Sequence, residues 1–226
     1  MIQGAIELAK KKGLQVGFVG AYPLGTTDFS AILTKVRAAN PDVLGVATNA
    51  FGDGVAITRQ MKALNVNPRM VGFAAGVPLS RLYELLGRDA EFVYSASLWL
   101  PELIEVRAGG LIPIARQYPG ARELIESAKK EFPGATPPAA GYGACQILVE
   151  AVKRAGSLDS EKLRDAILKM NDNTVFGAFR VERDGVQLAH KRLLFQWQDG
   201  KKVIVWPEEL AANQPRFPTP PWSQRP

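Results

Sequence analysis

The chain has 226 residues, 46% of them hydrophobic, with one cysteine, one histidine and a formal charge of +6. That length suits one large domain or two small ones, and no apolar run is long enough to cross a membrane. The positive charge is scattered, Lys10-Lys11-Lys12 and Lys129-Lys130 being its densest runs, so it describes a solvated surface rather than a nucleic-acid module.

The opening, Met1 to Lys12, places its charges after its apolar residues, the reverse of a secretory signal, so no export signal is expected in it. Residues 14–21 are rich in β-branched and aromatic types and predict a strand, broken at Pro23 and Gly25. Phe29, Ile32, Leu33 and Val36 recur at helical spacing, which predicts a helix over 29–39 that ends at Asn40-Pro41. A buried strand over 42–48, a helix over 51–64, a strand over 69–73, a short helix capped by Ser80 and a strand over 91–98 continue the alternation. Such a rhythm predicts an α/β fold with a mostly parallel, doubly wound sheet.

Gly109-Gly110 and Pro113 argue against a continuous helix over 102–117. Helices are expected over 120–132, 139–155 and 159–170, the last capped by Asp159 or Ser160. Short β segments follow at 175–181, 192–198 and 201–206, separated by Arg-Asp-Gly and Gln-Asp-Gly turns of hairpin type. The residues after Pro207 have no regular period and read as a wrapped or mobile Pro-rich extension, with a Pro-x-x-Pro partner ligand as a weak alternative.

The chemistry-bearing motifs are sparse. Gly52-Asp53-Gly54 follows a strand and opens a helix, but the third glycine of a dinucleotide turn would fall at Ile57. No phosphate loop, nucleophile elbow or zinc spacing occurs. Cys145 lies among Ala, Ile, Leu and Val and reads as a small core residue, His190 as a surface residue, and Asp89 and Glu91 as solvated acids. No catalytic constellation converges, so a binding protein is favoured over an enzyme, with no cofactor expected. In an open parallel sheet ligands bind beyond the carboxyl ends of the strands. Those ends supply Tyr22, Thr48, Asn49, Ala50, Phe51, Phe73, Ala74, Ala75 and Trp99, with backbone N–H groups near Gly52 suited to a carboxylate. The alternative is that Phe51, Phe73 and Trp99 only seal the sheet edge.

Five blocks in order carry a resemblance that spans nearly the whole chain: YPLGTTDFSAILTKVRAANPDVL, AITRQMKALNVNPRMVG, ELLGRDAEFVYSAS, AAGYGACQILVEAVKRAGSLDSEKLRDAI and LLFQWQDGKKVIVWP. The sequence resembles the substrate-binding proteins of branched-chain amino acid ABC transporters, the leucine/isoleucine/valine-binding type with the type I periplasmic fold. The resemblance implies a C-terminal portion: 1–136 and 190–206 as the second lobe, 137–189 as a crossing segment of an incomplete first lobe, and 207–226 as tail. It implies a small-molecule solute, permease subunits as partners, and a periplasmic or extracytoplasmic location. A ligand-sensing domain of a regulator or receptor is the alternative that shares the fold.

The family's ligand aromatic falls at Phe51 or Ala50, and its ammonium-pairing acid falls at Ala74 or Ala75. The resemblance therefore implies a ligand without an amine, such as a carboxylate or amide. Tyr142 matches a tyrosine at the start of the crossing helix. Ile147, Leu148, Val152, Leu163, Ile167 and Leu168 are expected to lie uncovered without the first lobe's sheet, a surface suited to self-association.

Overall fold

The structure is a computed structural model that describes residues 2–48, 50–74, 81–104, 117–133 and 137–225. The chain divides into two compact units, one of residues 1–97, 194–205 and 213–226, the other of residues 98–193 and 206–212.

The first unit is built on a five-stranded sheet. After helix α1 (Ile2–Lys11) and α2 (Ser30–Ala39) come β1 (Val43–Val46), α3 (Phe51–Ala63), β2 (Met70–Phe73), α4 (Arg81–Leu86) and β3 (Tyr94–Ser97). Strands β6 (Leu193–Gln198) and β7 (Lys201–Trp206) complete the order β1-β2-β3-β6-β7. β1, β2 and β3 are parallel, with Val46 opposite Phe73 and Phe73 opposite Ser95. The expected helices pack because their apolar stripes are continuous: Leu33 and Val36 of α2, and Val55, Ile57 and Met61 of α3, are buried. Ile57, where a dinucleotide turn would need glycine, is a core residue.

β6 and β7 are joined by the two-residue Asp199-Gly200 turn, with φ of 52° and 74°. Two consecutive residues of positive φ make the turn that matches strand twist in a hairpin. Glu91 reverses its sequence expectation here. Far from being solvated, it is 1% exposed, and its carboxylate accepts the N–H groups of Asp199 and Gly200 at 2.9 and 2.7 Å. Turn N–H groups brought over the sheet need an acceptor, and Glu91 supplies it. Asp89 is ion-paired with Lys62 at 2.7 Å.

Residues 14–21 form no strand. They are rich in strand-forming types, but a strand persists only where a neighbour completes its ladder, and among the described residues no strand lies beside them in the sheet.

The tail is wrapped. Thr219 donates its N–H to the Arg69 carbonyl at 2.8 Å, and the Trp222 indole donates to the Val66 carbonyl at 3.1 Å.

The second unit holds α5 (Ala121–Glu131), α6 (Ala139–Ala155), α7 (Ser160–Leu168) and a β4–β5 hairpin (Asp172–Thr174, Gly177–Phe179). α6 and α7 pack through Ala151, Ala166 and Met170, with Ile147, Leu163, Ile167 and Phe179 around them. Three of the six residues expected to lie uncovered are thus half-buried against this cluster; Leu148 is exposed, and Val152 and Leu168 are half-buried. Cys145 is exposed, not in the core, because α6 turns Ala139, Gly143 and Ala151 inward. Gly143 permits that approach: a Cβ there would stand 3.0 Å from that of Phe176. His190 is stacked on Phe176, 4.7 Å between centroids, and its Nε2 lies 2.7 Å from the Leu98 carbonyl, so it is half-buried rather than a plain surface residue.

The Asp159 carboxylate accepts the Lys162 N–H at 3.1 Å, capping α7 as its residue type predicts. Asp159→Ala is expected to cost about 1 kcal/mol, read as a small fall in melting temperature with far-UV circular dichroism otherwise unchanged.

Candidate functional site

The parallel register brings the carboxyl ends of β1 and β2 to one edge of the first unit, with the Ala74 N–H bonded to the Val46 carbonyl at 2.9 Å. Thr48 is buried there, Ala50 and Ala74 are exposed, and Phe51 is half-buried at the first position of α3. Tyr22 comes to the same edge from the segment before α2. Its hydroxyl lies 3.3 Å from the Ala47 carbonyl and 3.2 Å from the Asp53 carboxylate, and its ring meets Phe29 edge-on at 5.0 Å.

Phe73 is only 2% exposed, and the Ser95 hydroxyl bonds its carbonyl at 2.9 Å. Its ring lies in the core of the first unit. Asn49 and Ala75 lie outside the described residues. Trp99 and Tyr142 belong to the second unit. There the buried Trp99 indole donates to the Val175 carbonyl at 3.0 Å, and Tyr142 is exposed on the first turn of α6.

Asp53 is hidden in the sequence by the two glycines that flank it, which suggest a phosphate turn. The available signal was an acid in the first turn of a helix, where carboxylates are favoured by the helix dipole. Its carboxylate accepts the Ala50 N–H at 3.3 Å. A ligand carboxylate at this helix start would face the Asp53 carboxylate beside the N–H groups near Gly52. Electrostatically the edge suits a donor: an amide N–H, a hydroxyl or an ammonium.

Burial, then the charge of Asp53, pushes the Tyr22 hydroxyl up from 10.0 to about 12. The folded state holds this proton more tightly than the unfolded chain, so the contribution is complete below pH 10 and is lost as pH rises towards 12. Thermal melts from pH 9 to 12 should show the parent chain losing more stability above pH 10 than Tyr22→Phe. Parallel curves would contradict the bond to Asp53.

Among the described residues no group of acids, His and Cys is arranged to hold a metal ion, and no helix is long and apolar enough to cross a membrane.

Leu/Ile/Val-binding protein homolog 7 of Brucella melitensis is 23% identical over 218 residues, which cover 92% of this chain and 52% of the relative. A leucine-binding protein of Thermotoga maritima superposes with a TM-score of 0.72 at 24% identity, covering 88% of this chain and 53% of its own. A branched-chain amino acid transporter substrate-binding protein of Streptococcus pneumoniae, solved with isoleucine, gives a TM-score of 0.66 at 17% identity over 88% of this chain and 54% of its own. The chain thus spans about half the length of the relatives it matches, and the likeness establishes its fold as that of these binding proteins. The sequence pattern of the periplasmic binding proteins matches residues 1–202, from α1 to the start of β7. The chain belongs to the periplasmic binding protein family.

Proposed function

We propose that this chain is part of the extracytoplasmic solute-binding component of an ABC importer and takes a small amino acid, amide or carboxylate without transforming it. The family match over residues 1–202 carries the reading. The edge formed by Tyr22, Thr48, Ala50, Phe51 and Ala74 gives it a place, since solutes bind at the carboxyl ends of parallel strands. Permease subunits are the partners such a component delivers to. Residues 1–136 with 190–206 would be one lobe, and 137–189 the segment that crosses to the other, with closure of two lobes on the solute as the working motion.

The ligand follows from charge. The acid implied by the resemblance is absent at Ala74, but Asp53 places a carboxylate on the same edge. That supports amides and amine-bearing solutes over bare carboxylates. The exposed α6 residues Tyr142, Leu148 and Val149 are a surface that a longer chain or a second copy would cover.

Calorimetric titration with amino acids, their amides and the matching amine-free acids tests the reading. One lobe's edge should bind in the millimolar range, with amides and amino acids ahead of the acids, and Asp53→Asn should narrow that difference. Preference for the amine-free acids, or turnover of any of them, would overturn it.

A further inference from the structure

The chain's sole histidine joins two places where the chain passes from one unit to the other. Those passages fall at residues 97–98, 193–194, 205–206 and 212–213. Leu98 is the first residue beyond one of them, and His190 stands just before the next. His190 Nε2 lies 2.7 Å from the Leu98 carbonyl, 92 residues away in sequence. A carbonyl only accepts, so Nε2 carries the hydrogen and Nδ1 is the bare nitrogen.

Both passages are thereby tied to one well-bonded part of the second unit. The Trp99 indole donates to the Val175 carbonyl at 3.0 Å, and the Val175 N–H donates to Gln146 Oε1 of α6 at 2.9 Å. Phe176 stacks on the imidazole at 4.7 Å, with the planes 7° apart. Gly177, at φ of 116°, admits the ring: a Cβ there would stand 3.0 Å from the Tyr118 ring and 3.4 Å from His190 Nδ1. Residues 188–192 are neither helix nor strand, so side-chain contacts of this kind fix that passage.

We propose that the His190–Leu98 bond is an acid-released pin on the hinge between the two units. A second proton would have to enter at Nδ1, against Gly177. Burial disfavours it, the carbonyl bond favours it and the charge of Arg192 disfavours it again, so His190 titrates below the ordinary 6.5. Tyr118, the other titratable group at this cluster, is kept neutral by its own burial. A ring released into water takes up its proton at the ordinary value. The pinned form is therefore fully favoured above pH 6.5 and loses ground as pH falls through the lowered value. Hinges are a few residues at the ends of elements, and Leu98 follows β3 as His190 precedes β6. The pin rests on contacts inside the second unit and does not depend on the solute-binding reading.

The protein supplies its own probes. One imidazole Cε1–H signal reports the sole histidine, and the sole cysteine, Cys145 on α6, is exposed and takes a nitroxide without any substitution. Paramagnetic broadening of first-unit amides is followed from about pH 7.5 to 5, the range in which histidine titrates, against the reduced label. It should shift with one midpoint below pH 6.5 that coincides with that of the imidazole signal, while broadening within the second unit stays constant. His190→Gln keeps a donor near the Nε2 position and does not titrate, so it should hold the neutral pattern throughout. His190→Phe keeps the stack and loses the donor, so it should show the acid pattern throughout. An imidazole midpoint at 6.5 or above, broadening that does not follow the imidazole, or a His190→Gln chain that responds to acid as the parent does would overturn the proposal.

Discussion

A chain ending at Ala212 should melt about 10 °C or more below the full 226 residues. The last fourteen residues look dispensable by composition, yet they are bonded to side chains of β3 and β6. The Tyr94 hydroxyl and the Gln196 amide donate to the Arg216 carbonyl at 3.1 and 2.9 Å, and the Arg216 N–H returns to Gln196 Oε1 at 2.8 Å. Gln198 donates to the Gln214 carbonyl at 3.0 Å. Asn67 donates to the Pro220 carbonyl at 3.2 Å and receives Arg225 Nη2 at 2.7 Å.

Arg225 lies 3.4 Å over the Trp222 ring, and burial lowers its pKa from 12.5 to about 10 while leaving it charged at neutral pH. Removing the strap exposes the buried ring of Tyr94 and leaves the amides of Gln196 and Gln198 short of partners. At about 1 kcal/mol for each bond, with apolar exposure added, the loss is on the order of 5 kcal/mol. Trp222→Ala should reproduce part of it. A truncated chain that melts with the parent would show that the strap contributes nothing.

Glu91→Ala should cost about 3 kcal/mol, the largest expected effect of a single substitution outside the apolar core. It leaves two N–H groups of the β6–β7 turn without their acceptor, next to buried Trp197 and Gln198. A Cβ at Gly200 would stand 3.2 Å from the Tyr83 ring, which itself stacks on Trp197 at 5.6 Å, so the turn has little room to seek another acceptor. Asp199→Asn is the control. It removes only the exposed pair with Arg216 and should lower the melting temperature far less than Glu91→Ala does. Equal effects would place the stabilisation in the surface pair rather than in the buried carboxylate.

These cases also mark what the sequence makes legible. Val43–Val46, Met70–Phe73 and Tyr94–Ser97 declare themselves as strands because each is a short apolar run between helical periods. Residues 14–21 carry the same signal and fail, because a ladder partner is a property of the whole sheet. Glu91 looks solvated beside Asp89 because the turn that buries it lies 108 residues later. Cys145 has apolar neighbours in the sequence, but they do not tell which face of α6 meets α7. At the site, Tyr22 and Phe51 are legible from strand and helix ends, whereas Asp53 emerges only once Tyr22 and Ala50 are seen around its carboxylate.

Solute is expected to meet this chain at the carboxyl edge of β1 and β2. Amide chemical-shift mapping of the ¹⁵N-labelled 226-residue protein, titrated with branched-chain amino acids and their amides, tests it most directly. Shifts should be confined to Tyr22, residues 47–54 and residues 73–74, approaching saturation only in the millimolar range. Shifts centred on another surface, or none at this edge with any solute up to about 50 mM, well above the millimolar dissociation constants expected, would contradict it.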